Sequence, residues 1–403
     1  MCQMRILLTE GSGLTARQVA TRLGQLGHEV ELLSSTPLCL ARFTRHVRGV
    51  HQVPPFGLDP KAWFAAAKRV LDERGIQMLF PTQEQVAWLA AHHDEIRAMT
   101  VLPSFSALRR VQDKIAAFQT LKSVELPQPP GRIVREAAEL RAIERFPVFV
   151  KRATSTASNG VRRAANRSAL ASAVAALGPG DLLVQESVSG PLVMAQAVAD
   201  DGRLIALHAN LRVREGVGGG AAVKESIRVP GLAKQVQRLV ERLHWHGPIS
   251  FDLILTEADP VIIDINPRLV EPMNAWLSGV DLVGSMLALA RGEHPPVHLD
   301  GCQGVRSRQI LLALLGAAQR ERTRLAVWHE LRGAIHGVGD FRDAVEELTP
   351  CKNDWLAAFP VLAVAAATLV WPGAWRHFES GAVQDYALTP AAWEQLRATA
   401  GGN

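Results

Sequence analysis

Gly247-Pro-Ile-Ser-Phe-Asp-Leu-Ile-Leu-Thr-Glu-Ala-Asp-Pro-Val-Ile-Ile-Asp-Ile-Asn-Pro-Arg268 is the stretch on which the reading of this chain turns. Two apolar, β-branched runs, Ile249 to Leu255 and Val261 to Ile265, flank a polar turn around Glu257-Ala258-Asp259. That is the pattern of a β-hairpin. Folded at Ala258, the hairpin sets Asp252 opposite Asp264, each six residues from the centre. Side chains two apart on a strand share a face, so Asn266 joins Asp264. Two carboxylates and an amide then project into one small volume, with Arg268 two residues beyond. Carboxylates this close repel unless a cation lies between them. Three hard oxygen donors beside a fixed cation suit magnesium holding a polyphosphate. An amphipathic hairpin with its acidic face in water has the same alternation, and the hairpin alone does not separate the two readings.

Working outward, a chain of 403 residues is too long for one ordinary core and implies two or three domains. Hydrophobic residues make up 48% and charged residues 21%, a globular composition. The formal charge of +5 comes mostly from arginine, with no basic block interleaved with aromatics. Nucleic acid is therefore not expected as a partner, and an electropositive site for an anionic substrate is. Cys2, Cys39, Cys302 and Cys351 are scattered, with no CxxC spacing, as expected of free thiols in a reducing, cytoplasmic setting. The N-terminus enters a strand at once, without the cleavage site of a secreted protein. The 13 histidines show no ligand spacing, and no Ser-His-Asp or Cys-His arrangement emerges.

Upstream, Met4 to Thr9 reads as a strand and Glu10-Gly-Ser-Gly13 as a turn. Leu14 to Leu26 reads as a helix on the spacing of Val19, Ala20, Leu23 and Leu26, and Glu29 to Leu33 as the next strand. This is the βαβ opening of a doubly wound sheet. The turn lacks the third glycine and the acidic ribose partner of a dinucleotide fingerprint. A helix over Ala62 to Arg74, a buried strand over Gln77 to Pro81 and a helix opening at Thr82-Gln-Glu84 follow. Gln83 and Glu84 are either substrate contacts at a strand's carboxyl end or a dipole-favoured helix start. Asp113-Lys114 leads into a helix over 115–123. The strand Phe146 to Arg152 carries Lys151 at its end, where the ammonium must snorkel or meet an anion. The loop Ala153-Thr-Ser-Thr-Ala-Ser-Asn-Gly160 can bring backbone N–H groups close to phosphate oxygens. Asp181 to Gly190 holds a strand ending in Gln185-Glu186. Arg212 and Arg214 share a strand face before a glycine-rich turn, cations beside exposed amides of the kind a transferring phosphoryl group needs.

In order and spacing, these pieces resemble the ATP-grasp superfamily, and within it the carbamoyl-phosphate-synthase-like carboxylate–amine ligases. The pieces are Lys114, Lys151 with its small-residue loop, Gln185-Glu186, Arg214 with its glycines, Asp252 and Asp264-Ile-Asn-Pro-Arg268. The resemblance covers residues 4 to 295. It implies an α/β fold of the ATP-grasp type: an N-terminal doubly wound α/β domain over 1–100 and a two-lobed α+β grasp core over 101–295, with its lid lobe at 125–190. A mainly helical C-terminal extension over 296–403 follows, matched by nothing. The resemblance implies ATP held by Lys114, Lys151, Ser158, Gly160, Gln185, Glu186 and Val188, with the backbone from Glu186 to Val188 pairing with adenine. It makes Asp252, Asp264 and Asn266 the ligands of Mg2+, or of Mn2+ in its place, and Arg268 and Arg214 the stabilisers of the transferring group.

The implied reaction is ADP-forming. A substrate carboxylate becomes an acyl phosphate, and an amine then displaces phosphate to give an amide. Small-molecule carboxylate and amine substrates are the implied partners, and a homodimer is the default assembly. A bicarbonate-using carboxylase or carbamoyl-phosphate-type enzyme, and an ATP-binding protein without turnover, are the alternatives on the same core. Two departures from the family pattern are Asp264, where glutamate is commoner, and Pro191-Leu192, where many relatives carry an acid for the ribose. Farther on, Arg306 to Gln319 reads as helical, and Val270 to Glu293 as the helix that closes the core. Trp355 to Trp371 carries no charge and precedes Pro372. Two placements fit it: a helical hairpin docked on the core, or a membrane-surface contact through 355–372 that makes the protein peripheral.

Overall fold

The computed structural model describes residues 3–154 and 160–399. The N-terminal apolar runs become β1 (Arg5–Leu8), β2 (Glu29–Ser34), β3 (Val47–Gln52) and β4 (Met78–Phe80), with α1 (Leu14–Gln25), α2 (Pro60–Arg74) and α3 (Gln85–Ala91) between and after them. The four strands form one sheet in the order β3-β2-β1-β4. β1 pairs in parallel with both β2 and β4, so the winding reverses between β1 and β4. α1 is buried from Thr15 to Leu23, not only along its apolar stripe. Its polar residues meet distant parts of the chain. Arg17 pairs with Asp354 at 3.2 Å, Gln18 donates to Glu347 at 3.2 Å, and Arg22 pairs with Asp281 at 2.5 Å.

After α4 (Phe105–Leu108) and α5 (Lys114–Ser123) comes a small lobe of β5 (Gly131–Val134), β6 (Val148–Arg152), β7 (Val161–Ala164), α6 (Arg167–Leu177) and β8 (Leu182–Glu186). Its strands form an antiparallel sheet in the order β5-β8-β6-β7 around Val148, Val150, Leu170 and Val184. β9 (Leu192–Asp200), β10 (Arg203–Glu215) and β11 (Ala221–Ser226) begin the large sheet. α7 (Leu232–Leu243) buries Leu232, Val236, Leu239, Val240 and Leu243 against it, one face at helical spacing. β12 (Gly247–Leu255) and β13 (Pro260–Asn266) form its edge hairpin.

The segment from Val270 to Glu293 is two helices, not the single one expected: α8 (Met273–Leu277) and α9 (Leu282–Ala290). Gly279 at φ +96° breaks the run, and Asp281 caps α9 by accepting from the Gly284 amide at 2.9 Å. The expected helix from Arg306 also starts late. Arg306–Arg308 is β14, paired antiparallel with β11, and α10 (Ile310–Glu321) follows. β14 recruits β15 (Val345–Glu346) after α11 (Arg324–His336), which completes the order β13-β12-β9-β10-β11-β14-β15. The region beyond residue 296 thus supplies strands to the same sheet.

α12 (Ala358–Val370) docks through Val364, Ala365 and Thr368 and turns Phe359, Leu362 and Val370 outward. Pro360 lies in its first turn, where a missing N–H costs little. Among the described residues, no helix is long and apolar enough to cross a membrane. α13 (Trp375–Tyr386) and α14 (Pro390–Thr399) return to the N-terminal sheet, where Leu388, Trp393 and Leu396 share a core with Leu7, Trp63 and Trp88.

Candidate active site

The hairpin of β12 and β13 sets Asp252 opposite Asp264 and Ser250 opposite Asn266. Nearer the turn the register differs by one, with Leu253 opposite Ile262 and Leu255 opposite Pro260. Ile263 is the extra residue, a β-bulge. Strict alternation would turn Asp264 toward the core with Ile262, which is 1% exposed. The bulge returns Asp264 and Asn266 to the open face. The Ile263 carbonyl accepts from Lys151 Nζ of β6 at 2.8 Å, which ties the small lobe to the large sheet. Burial pushes the Lys151 ammonium down to about 8, against the opposing pull of Asp264.

Lys114 opens α5, where the Asp113 side chain caps the helix by accepting from the Ala116 amide at 2.6 Å. The Lys114 amide donates to the Ala153 carbonyl at 2.8 Å. Its Nζ donates to both oxygens of Asp264, each at 2.9 Å. Burial acts to raise the Asp264 pKa, but Lys114 and Lys151 outweigh it and hold the carboxyl below its usual range. Asp252 has no such partner. Burial, and then the Asp264 charge, push it up to about 6. Arg268 is close enough for its charge to pull the other way at Asp252.

A cavity opens beside these groups, between the small lobe and the large sheet. Phe118, Leu183 and Ile262 give it apolar walls, and Lys114, Lys151 and Asp264 give it a charged end. Gln128 and Gln185 also line it, and the Oε1 atom of each is buried without a partner among the described residues. Flat apolar walls with unmet acceptors suit an aromatic base bearing an amino group. The charged end suits a polyphosphate with its cation. Among the described residues, no three His, Cys, Asp or Glu side chains gather to hold a metal. The donor set offered here is two carboxylates and an amide.

The structure places Lys114, Lys151, Gln185 and Asp264 around one cavity, with Asp252 opposite Asp264 in the hairpin and Asn266 two residues on. Arg214 is a correction. Its guanidinium donates to Glu330 at 2.7 and 2.5 Å and to Asp340 at 2.8 Å, carboxylates from α11 and the turn after it. Register shifts on both sides of Arg214 in β10 accompany this placement. In the adenine hinge the Glu186 amide donates to the Pro130 carbonyl at 2.8 Å and the Ser187 amide to the Pro147 carbonyl at 3.0 Å, and Val188 is the next amide along. Ser158 lies outside the described residues, and the Gly160 carbonyl accepts from the Arg152 amide at 2.9 Å.

Sequence reasoning passed over two buried charged groups. Lys224 is 2% exposed and pairs with Glu271 and with Glu347, the latter at 2.6 Å. Gln309 donates to the same two carboxylates. Glu10 is 3% exposed and accepts from the Ser12 and Gly13 amides at 2.6 and 2.8 Å. The available signal was a charge inside or just after an apolar strand, Ala221-Ala-Val-Lys224 and Leu7-Leu-Thr-Glu10.

The ATP-grasp domain family matches residues 111–272. The biotin carboxylase of Pseudomonas aeruginosa is 26% identical over 218 residues, 47% of this chain and 48% of that protein. The chain spans about half the length of the curated relatives it matches. Among solved structures, N5-carboxyaminoimidazole synthetase from Staphylococcus aureus, complexed with ADP, has a TM-score of 0.62 at 15% identity and covers 79% of this chain and 85% of that one. The L-amino acid ligase from Bacillus licheniformis has a TM-score of 0.57 at 15% identity and covers 72% and 74%. Residues 111–272 match the ATP-grasp domain family, and the chain shares the fold of these ATP-grasp structures.

Proposed function

We propose that this protein is an ATP-dependent, ADP-forming carboxylate–amine ligase. The observation that carries this reading is the group of Lys114, Lys151, Asp252, Asp264 and Asn266 at the charged end of an apolar cavity. We assign the apolar walls to adenine, the Gln128 and Gln185 oxygens to its amino group, and the Val188 amide to its edge. Lys114 and Lys151 neutralise the phosphates. Asp252, Asp264 and Asn266 would hold Mg2+, or Mn2+. When bound, the ion shields the phosphate oxygens and relieves the repulsion that raises Asp252. Lys114 then exchanges the Asp264 carboxylate for phosphate oxygens. Arg268 stabilises negative charge on the carboxylate as it takes up the phosphoryl group. The substrate carboxylate oxygen bonds to the γ-phosphorus as ADP leaves, and the amine nitrogen bonds to the acyl carbon as phosphate leaves.

The test is ADP and phosphate release with Mg-ATP across amino acids, dipeptides and hydroxy acids, with Asp264→Ala as control. Substrate-dependent ADP release that the variant lacks supports the reading, and release of AMP sinks it. The likeness to a biotin carboxylase favours one second reading, with bicarbonate as the carboxylate. ADP release that needs bicarbonate and no amine would select it.

A further inference from the structure

A second polar cavity lies at the carboxyl ends of β1 and β2, lined by Glu10, Ser12, Leu33, Ser35, Trp63 and Asp385 among others. Its free space is about 10 Å3, room for one water-sized group. Glu10 Oε2 takes the amides of the Gly11-Ser12-Gly13 turn, so the turn's own carboxylate occupies the place a phosphate takes in a dinucleotide fold. Glu10 Oε1 is buried and without a partner among the described residues, as is Oε1 of Gln83, itself 5% exposed. The two side chains meet over Gly13. A methyl group there would lie 2.7 Å from Glu10 Oε1 and 2.7 Å from Gln83 Nε2.

Asp385 arrives from the other end of the chain. Ser12 Oγ donates to it at 3.1 Å and Ser35 Oγ at 2.5 Å. The Phe56 amide donates to the Asp385 carbonyl at 3.1 Å, and the Leu388 amide donates to Glu84 at 2.6 Å. Residues 385–388 thus strap the crevice shut.

We propose that this cavity binds the ammonium group of the amine substrate, with Glu10 and Asp385 as its acceptors. The inference deepens the ligase reading and rests on it for the role of the amine. Two carboxylates, four hydroxyls and no lysine, arginine or histidine line the space, so an anion is repelled and a cationic donor is attracted. A protonated primary amine brings up to three donors and one charge, which meets the unpaired Glu10 oxygen and the Asp385 carboxylate together. Leu33, Val53 and Trp63 form an apolar wall for the carbon that bears it. The cavity lies at the carboxyl ends of the parallel strands, the end at which ligands of such a fold bind. The charge of Arg268 acts on both Glu10 and Asp252. Burial pushes the Glu10 carboxyl up to about 7, a penalty that a bound cation offsets.

The competing account is a neutral Glu10 that donates its proton to Gln83 and binds nothing. The two separate in a titration of the full-length protein at pH 8, without nucleotide. Methylammonium chloride is compared with tetramethylammonium chloride at equal ionic strength by calorimetry and thermal unfolding. Saturable binding of methylammonium alone is expected, weakened at least about tenfold in Glu10→Gln and in Asp385→Asn, as loss of a charged hydrogen bond requires. Equal responses to the two salts, or methylammonium binding unchanged in both variants, overturn the proposal. Asp385→Asn keeps the test decisive if Glu10→Gln does not fold. The titration needs no turnover. A negative result removes the amine subsite and leaves the ligase reading standing, whereas a failure of ADP release does the reverse.

Discussion

Lys114 bridges both oxygens of Asp264 because neither group has another strong partner in a site built for more charge than the chain itself carries. Asp264→Asn removes the carboxylate that both lysines face. ATP turnover should fall by about 10²–10³-fold, the scale of losing one preorganised charge at a reacting centre, and steady-state ADP release reads it. Lys151 gives a pH signature. Its ammonium lies near 8, so at pH 8 it is about half deprotonated before nucleotide arrives. Phosphate oxygens favour the charged form, so binding should take up about half a proton at that pH. Calorimetry in two buffers of different ionisation enthalpy measures the uptake, and Lys151→Met should abolish it. Lys151 was legible because a charge at the edge of an apolar run has few other uses, and Lys114, at a helix start, only through the family resemblance. Arg214 was not. Its partners, Glu330 and Asp340, lie more than a hundred residues on, and nothing local in Arg-Val-Arg marks which arginine faces them.

At the scale of the element, the hairpin shows how a correct pairing can rest on an incomplete reason. Folding at Ala258 pairs Asp252 with Asp264, as observed, yet the turn pairs Leu255 with Pro260, half a residue off that centre. The bulge at Ile263 makes up the difference, and a period of two cannot place a bulge. The helix α1 makes the complementary point. Its apolar spacing marked one inward face, but Arg17, Gln18 and Arg22 are buried too, because other elements close over them. Arg17 and Asp354 are 0% and 2% exposed. Asp354→Ala should therefore cost about 3–5 kcal/mol by stranding a buried charge, whereas Arg17→Met with Asp354→Leu should be close to neutral. Urea unfolding of the two variants checks both.

For the whole molecule, Lys224 gathers α1 through Gln18, the large sheet, Glu271, and both Gln309 and Glu347 from beyond residue 296. The chain should unfold in a single transition, and ending it at residue 300 should yield aggregate, since Arg17 and Arg214 lose their carboxylates and Lys224 loses one of its two. Solubility and a calorimetric scan test this. The pH dependence of stability follows from buried acids. Burial raises Glu10 and Glu346 from 4.5 to about 7. A raised acid binds its proton more tightly when folded, so its contribution is fully present below pH 4.5 and is lost as the pH rises through 7. Unfolding free energy of the unliganded protein should drop across that window, and Glu346→Gln should flatten part of the drop. None of this assembly was legible in the sequence beyond residue 296, where no motif names a partner and the contacts are all long-range.

The strap at residues 385–388 and the core that Trp393 and Leu396 share with Leu7 and Trp63 also bear on how the protein is made. The strands of this sheet lack part of their packing until α13 and α14 have also left the ribosome. Asp385, which closes the crevice over Ser12 and Ser35, lies 373 and 350 residues beyond them. The N-terminal sheet must wait, incompletely covered, while that length is made, and a nascent chain stalled before α13 should be a client of chaperones.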